Sequence, residues 1–158
     1  MKTWTRVLLR VVRFAAIFAL VASAATARAG DFYEKDGAAI RGYDPVAYFS
    51  EKKAVKGASA YKAEYGKSTF HFASQANRDA FTADPARYAP QYNGFCAFGV
   101  AGGYKAAIDP AAFTIVDNKL YLNYNRAVQK QWSADIPGFI AKAGKNWPAV
   151  ARQTKVIE

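Results

Sequence analysis

The sequence predicts a small single α+β domain with two β-hairpins and several short helices. Three observations carry this. Two stretches, Tyr61 to Phe72 and Phe113 to Tyr124, alternate apolar and polar residues on either side of short turn sequences. Pro and Gly cut the remaining chain into pieces suited only to short helices. One cysteine in 158 residues can make no internal disulfide, so the fold must hold by packing.

In chain order, residues 1–29 read as a cleaved secretory leader. Lys2, Arg6, Arg10 and Arg13 form a basic n-region, Phe14 to Ala25 an apolar stretch, and Ala27-Arg28-Ala29 a cleavage site before Gly30. The uncharged run from Phe14 to Ala27 is too short to span a bilayer. The expected location is therefore periplasmic or secreted, with no integral membrane segment after cleavage between Ala29 and Gly30. The leader carries five of the 22 basic residues and none of the 12 acidic ones, so the formal charge falls from +10 to +5 on its removal. Neither that balance nor any Lys/Arg run suits nucleic acid.

The domain proper is expected over residues 30–150, with 151–158 as a frayed tail. Residues 31–43 read as an irregular lead-in, with Ala38-Ala39-Ile40 extended. A D-P-x-x-aromatic unit follows at Asp44 to Tyr48 and recurs at Asp84 to Tyr88 and Asp109 to Phe113. An Asp side chain caps freed N–H groups and Pro fits a first helical position, so three capped turns are expected. Tyr61, Ala63 and Tyr65 share one strand face, Gly66-Lys67 turns the chain, and Phe70 and Phe72 share the returning face, with His71 opposite. Ser74 opens a helix to about Ala83 that buries Ala76, Ala80 and Phe81. Tyr92 to Gly103 reads as a flexible aromatic and Gly-rich segment around Cys96. Asp117-Asn118-Lys119 joins the strands of the second hairpin. Two closing helices run from Arg126 to Trp132, with Val128 and Trp132 on one face, and from Pro137 to Lys145, stopped by Trp147-Pro148.

Cys96 heads the candidates for chemistry. Between Gly94 and Gly99, beside Phe95 and Phe98, it reads either as a thiolate for a soft metal or redox work, or as a buried small hydrophobe. His71, the single histidine, is a weaker candidate ligand; with Cys96 alone it cannot complete a tetrahedral zinc site. Asp44 reads as a carboxylate ligand or as an N-cap. Tyr43, Tyr48, Tyr92 and Phe95, with Tyr88, Tyr121 and Tyr124, form the aromatic set a ligand would meet, or else core. No G-x-S-x-G, phosphate loop, dinucleotide fingerprint or C-x-x-C is present, and no catalytic residue is assigned.

Ordered blocks carry a resemblance: Gly42-Tyr43-Asp44-Pro45-Val46-Ala47-Tyr48-Phe49; Phe70-His71-Phe72-Ala73-Ser74 with Asn77 and Phe81; Pro85, Tyr88-Ala89-Pro90-Gln91-Tyr92 and Gly94-Phe95-Cys96-Ala97; and Lys119 to Tyr124. Over about residues 40–148 the chain resembles the exported branch of the YHS-domain proteins. The resemblance implies a small metal-binding module related to treble-clef domains. In the wider group, cysteines stand at the positions of Ala47, Ala73 and Asn77, so the common thiolate site cannot form here. The branch keeps Gly94 to Ala97, and some of its members are reported to carry selenocysteine at the position of Cys96, which implies chemistry at that atom. The first expectation is copper(I) on Cys96, with His71 and Asp44 as weaker partners. The alternatives are a single-cysteine redox protein, or a non-catalytic module that binds a ligand or an envelope protein partner around an inert cysteine.

Overall fold

The computed structural model describes residues 31–158; the leader expected at 1–29 lies outside the described residues. The chain opens with a miniature antiparallel hairpin, β1 (Glu34–Lys35) and β2 (Ala38–Ala39), and a 3-10 turn at Ile40–Gly42. One short helical turn, α1 (Ala47–Ser50), follows the first Asp-Pro. The first long hairpin pairs β3 (Ala58–Tyr65) with β4 (Ser68–Phe72), a bulge falling between Ala58 and Lys62. Two helices continue from it: α2 (Gln75–Ala83), capped by Ser74 Oγ on the Asn77 N–H, and α3 (Pro85–Tyr88), capped by Asp84. After a 3-10 turn at Gln91–Gly94 come α4 (Ala97–Ala101) and the two-residue β5 (Lys105–Ala106). The second long hairpin is β6 (Asp109–Val116) with β7 (Lys119–Asn123). Helices α5 (Arg126–Ser133) and α6 (Ile136–Val150), then β8 (Val156–Ile157), complete the domain. This is the small α+β domain with two main hairpins that the sequence predicts.

The alternation that predicts the hairpins also builds the core. Phe70 and Phe72 are fully buried on one face of β4 and meet Phe81 of α2 at ring separations of 5.0 and 5.1 Å. Phe32 closes this stack edge-on against Phe70 at 5.0 Å. The second hairpin contributes Tyr121, which lies 5.3 Å from the fully buried Trp132 of α5. Truncating a buried aromatic of this kind costs about 3–5 kcal/mol. The turn of the second hairpin holds Asp117 and Asn118 at positive φ, 48° and 57°, the conformation that matches strand twist and favours Asn and Asp.

Several expectations fail for identifiable reasons. Asp109-Pro110 starts a strand, not a capped turn: Asp109 pairs with Asn123, and Pro110 sits beside the bulge where it need not donate. Ala76 is exposed, leaving Phe81 as the buried side chain of α2. The Gly-rich stretch after Cys96 contains α4, because Cys96 itself serves as its N-cap. Pro148 does not stop the last helix; the bond it cannot donate falls near the end, where the Ala151 N–H still reaches the Trp147 carbonyl at 2.7 Å. Residues 151–158 are docked. β8 pairs in parallel with β5, and the Lys105 ammonium donates to the carbonyls of Ala151 and Gln153 at 3.0 and 2.8 Å.

Candidate functional site

Asp44 is completely buried, and both its oxygens are engaged. Oδ1 accepts from the N–H groups of Val46 (2.8 Å) and Ala47 (3.3 Å), which are the freed donors at the start of α1. Oδ2 accepts from the Ala73 N–H (2.8 Å) and the Asn77 side-chain amide (2.6 Å), at the junction of β4 and α2. The carboxylate thus ties together Ala47, Ala73 and Asn77, the three positions where the resemblance puts thiolates in the wider family. With all four contacts coming from N–H donors, Asp44 acts as a staple between two elements.

His71 stands on the outer face of β4, as the alternation requires, and is half-buried. Its Nδ1 would lie 3.3 Å from a Cβ placed on Gly42, so the ring packs on that glycine. Burial first, then the ammonium groups of Lys56 and Lys62, hold its imidazole below the ordinary histidine range. Two nearby cations make this a poor seat for a metal ion.

Cys96 follows three consecutive residues at positive φ, Tyr92, Asn93 and Gly94. Gly94 is needed there: a Cβ would sit 2.7 Å from Ile40 Cγ2. This turn delivers Phe95 and Cys96 to the interior, where the Cys96 N–H bonds the Ala106 carbonyl at 3.1 Å. The sulfur is 1% exposed as a residue, yet it contributes to the wall of a 290 Å³ cleft bounded by Phe98, Tyr104, Tyr124, Val128 and Ile157. Sγ accepts from the Gly99 N–H at 3.4 Å, and the N–H groups of Tyr124 and Phe98 also stabilise negative charge on it. Burial nevertheless wins and pushes the thiol up from its ordinary value. On its inner side the thiol faces Asn123 Oδ1 at 3.8 Å, which also accepts from the Phe98 N–H at 3.3 Å.

The aromatic candidates disperse. Tyr48 is fully buried, its hydroxyl donating to the Pro110 carbonyl at 2.9 Å, and burial raises its pKa strongly. Tyr43 bridges to Lys56, whose ammonium lies 5.0 Å above its ring. Tyr92 packs on Tyr121 and Trp147 and donates to the Ile140 carbonyl. Phe95 is buried beneath Lys105 and lines a different cleft, with Tyr33 and Val156. The residues around the cysteine that sequence reasoning missed are Asn123, Tyr104 and Ile157. A signal existed for Asn123, a polar residue closing the apolar run Leu120-Tyr121-Leu122. None existed for Ile157, in a stretch read as tail.

Residues 46–92 match the family model of the YHS domain. No curated protein and no solved structure matches the chain. The YHS family is associated in general with metal binding. Among the described residues no three His, Cys, Asp or Glu side chains gather into a group that could hold a metal ion. Cys96, His71 and Asp44 therefore do not form one site. The sulfur's protein neighbours are N–H donors and a single amide oxygen, a set that stabilises an anion and supplies no second charged ligand beside the thiolate.

Proposed function

We propose, for a chain whose residues 46–92 are a YHS domain, that its working group is the thiol of Cys96, set in a small-molecule cleft. One observation carries this reading. The large apolar side chains exposed among the described residues, Tyr104, Tyr124 and Ile157, all stand around the cleft that Cys96 lines. Exposed apolar surface gathered in one concave place marks a binding site more often than scattered residues do. The backbone N–H groups around the sulfur support its anionic form once the proton is lost. The raised pKa means that attack on a disulfide or another electrophile speeds up as pH rises above the ordinary thiol range. In such an exchange the thiolate displaces one sulfur of a small disulfide, forming a mixed disulfide and releasing a thiolate.

Residues 1–29 are proposed as the leader that takes the protein to the envelope or out of the cell, with residues 30–158 as the mature chain. A second reading draws on the family association and the open side of the sulfur. Cys96 supplies one thiolate to copper(I), and an outside molecule completes the coordination.

The test is labelling of the folded protein with methyl methanethiosulfonate, followed by mass spectrometry, alongside anaerobic copper(I) titration of the wild type and Cys96→Ala. Modification at a rate that climbs through alkaline pH under native conditions is the expected result. A thiol that reacts only after unfolding would overturn the first reading, and copper(I) affinity unchanged in Cys96→Ala the second.

A further inference from the structure

A second cleft, of 270 Å³, lies between the opening hairpin, the start of β6 and Glu158, and Cys96 takes no part in it. Tyr33 lines it and is only 4% exposed, yet its hydroxyl makes no hydrogen bond to a described residue. That hydroxyl is not sealed in, because Asn123 Nδ2 is the one enclosed side-chain atom without a partner among the described residues. It therefore opens on free space. Burial first, then Glu158, makes it hold its proton more tightly than usual, while Lys35 and Arg41 act the other way. A hydroxyl that responds to these three charges stands among them, and all three line this cleft. The charges around it divide into a closed pair and two left over. Lys35 and Glu158 neutralise one another at 2.8 Å, whereas Arg41 and Asp109 enter no ion pair among the described residues. Asp109 commits Oδ1 to the Ala111 N–H at 2.9 Å and leaves Oδ2 unengaged. Arg41 is held at the rim by backbone that few residues adopt. Ile40, Arg41 and Gly42 stand at φ 44°, 60° and 71°, and a β-branched residue at positive φ is an outlier. Lys56 fixes this turn by donating to the Arg41 carbonyl. Such strain persists only where the surroundings enforce it.

We infer that this cleft binds a small zwitterion of the α-amino-acid class with an apolar side chain, its carboxylate on Arg41 and the Tyr33 hydroxyl and its ammonium on Asp109. A simple anion would meet Arg41 but also the unpaired carboxylate of Asp109, and a simple cation would meet the reverse. Only a molecule carrying both signs satisfies both groups. The planar fork of Arg41 matches a carboxylate, and the Tyr33 hydroxyl adds a donor beside it. Ala107, Ile108 and the ring of Tyr124 give the cleft its apolar wall. At 270 Å³ it falls just below the lower end of ordinary ligand sites, about 300 Å³, which suits a single amino acid and not a peptide. The site goes beyond the reading of Cys96 and does not depend on it.

The test titrates three probes into the ¹⁵N-labelled mature chain and follows its amide resonances: L-leucine, a zwitterion; N-acetyl-L-leucine, an anion; and L-leucine methyl ester, a cation. L-Leucine is expected to give saturable shifts centred on Tyr33, Arg41, Asp109 and Tyr124, and to bind about tenfold more tightly than either derivative. Arg41→Gln, Tyr33→Phe and Asp109→Asn should each weaken L-leucine about fivefold, the scale of one charge-assisted hydrogen bond at a half-open site. Asp109→Asn keeps the oxygen that accepts from Ala111, and Tyr33→Phe keeps the ring, so both leave the local packing in place. Cys96→Ser should bind L-leucine as the wild type does, which separates this site from the reactive-cysteine reading. No saturable L-leucine binding, or shifts centred on Phe98 and Val128 in the Cys96 cleft, would overturn the inference. Either derivative binding as tightly as L-leucine would also overturn it, because one of the two charges would then be idle.

Discussion

Replacing Asp44 with Ala removes the acceptor for four donors at once. Two of them, the N–H groups of Val46 and Ala47, are buried at the start of α1 and cannot turn to water; each orphan costs about 1–3 kcal/mol. The other two, the Ala73 N–H and the Asn77 amide, are partly exposed and recover some hydration, so about 0.5–1.5 kcal/mol each is the appropriate scale. The sum is about 3–9 kcal/mol, a large fraction of the roughly 5–15 kcal/mol available to a domain of this size. Asp44→Asn should fare little better, because its N–H₂ must face one of the two donor pairs. Urea unfolding followed by circular dichroism reads both variants, with an unchanged m-value expected. In the cycle with Asn77→Ala, the two losses should fall short of additivity by about 1–2 kcal/mol. A loss below about 1 kcal/mol for Asp44→Ala would refute the staple.

Gly57→Ala should be among the worst single-methyl additions in the chain, since its Cβ would stand 2.5 Å from the backbone carbon of His71 and 2.7 Å from the Phe72 nitrogen. Backbone cannot step aside as a side chain can, so a loss of about 2–3 kcal/mol or a shifted β3–β4 hairpin is expected from urea melts and amide exchange. Burial raises the acid groups of Cys96, Tyr33, Tyr48 and Tyr121, and lifts Tyr92 to about 12, so each holds its proton more tightly folded than unfolded. Stability from these groups is complete below the unfolded values of about 9 to 10 and falls as pH rises beyond them; a urea midpoint that held level from pH 8 to 11 would contradict this. His71 acts in the other direction. Held neutral, its contribution is complete above the free-imidazole value of 6.5 and falls as pH drops through it, a loss that His71→Gln should abolish.

What the sequence made legible followed from local rules. Alternation placed Phe70 and Phe72 inward and His71 outward, and Asp and Ser before short apolar runs marked the caps at Asp44, Ser74 and Asp84. What stayed hidden depends on partners far away in the chain. Val156 and Ile157 look like a tail until Lys105 and Ala106 offer them a parallel edge some fifty residues earlier. Asp109-Pro110 repeats a capping signal, but pairing with β7 overrides it. Cys96 was visible as a candidate because it is unique, whereas its neighbour Asn123 is 27 residues away and reaches it only through the fold.

Because Ile157 of β8 forms part of the Cys96 cleft, occupancy of the cleft and docking of the chain's final strand are thermodynamically linked. A parallel pair only two residues long, supported by Lys105, Gln153 and the Lys35–Glu158 ion pair, is the kind of element that opens locally at small free-energy cost. Affinity is then discounted by the fraction of time the strand is undocked, and any molecule held in the cleft must favour the docked state by the same factor. Carboxypeptidase digestion would read that coupling from the opposite end: a filled cleft slows trimming of Glu158 and Ile157, and trimming them empties the cleft.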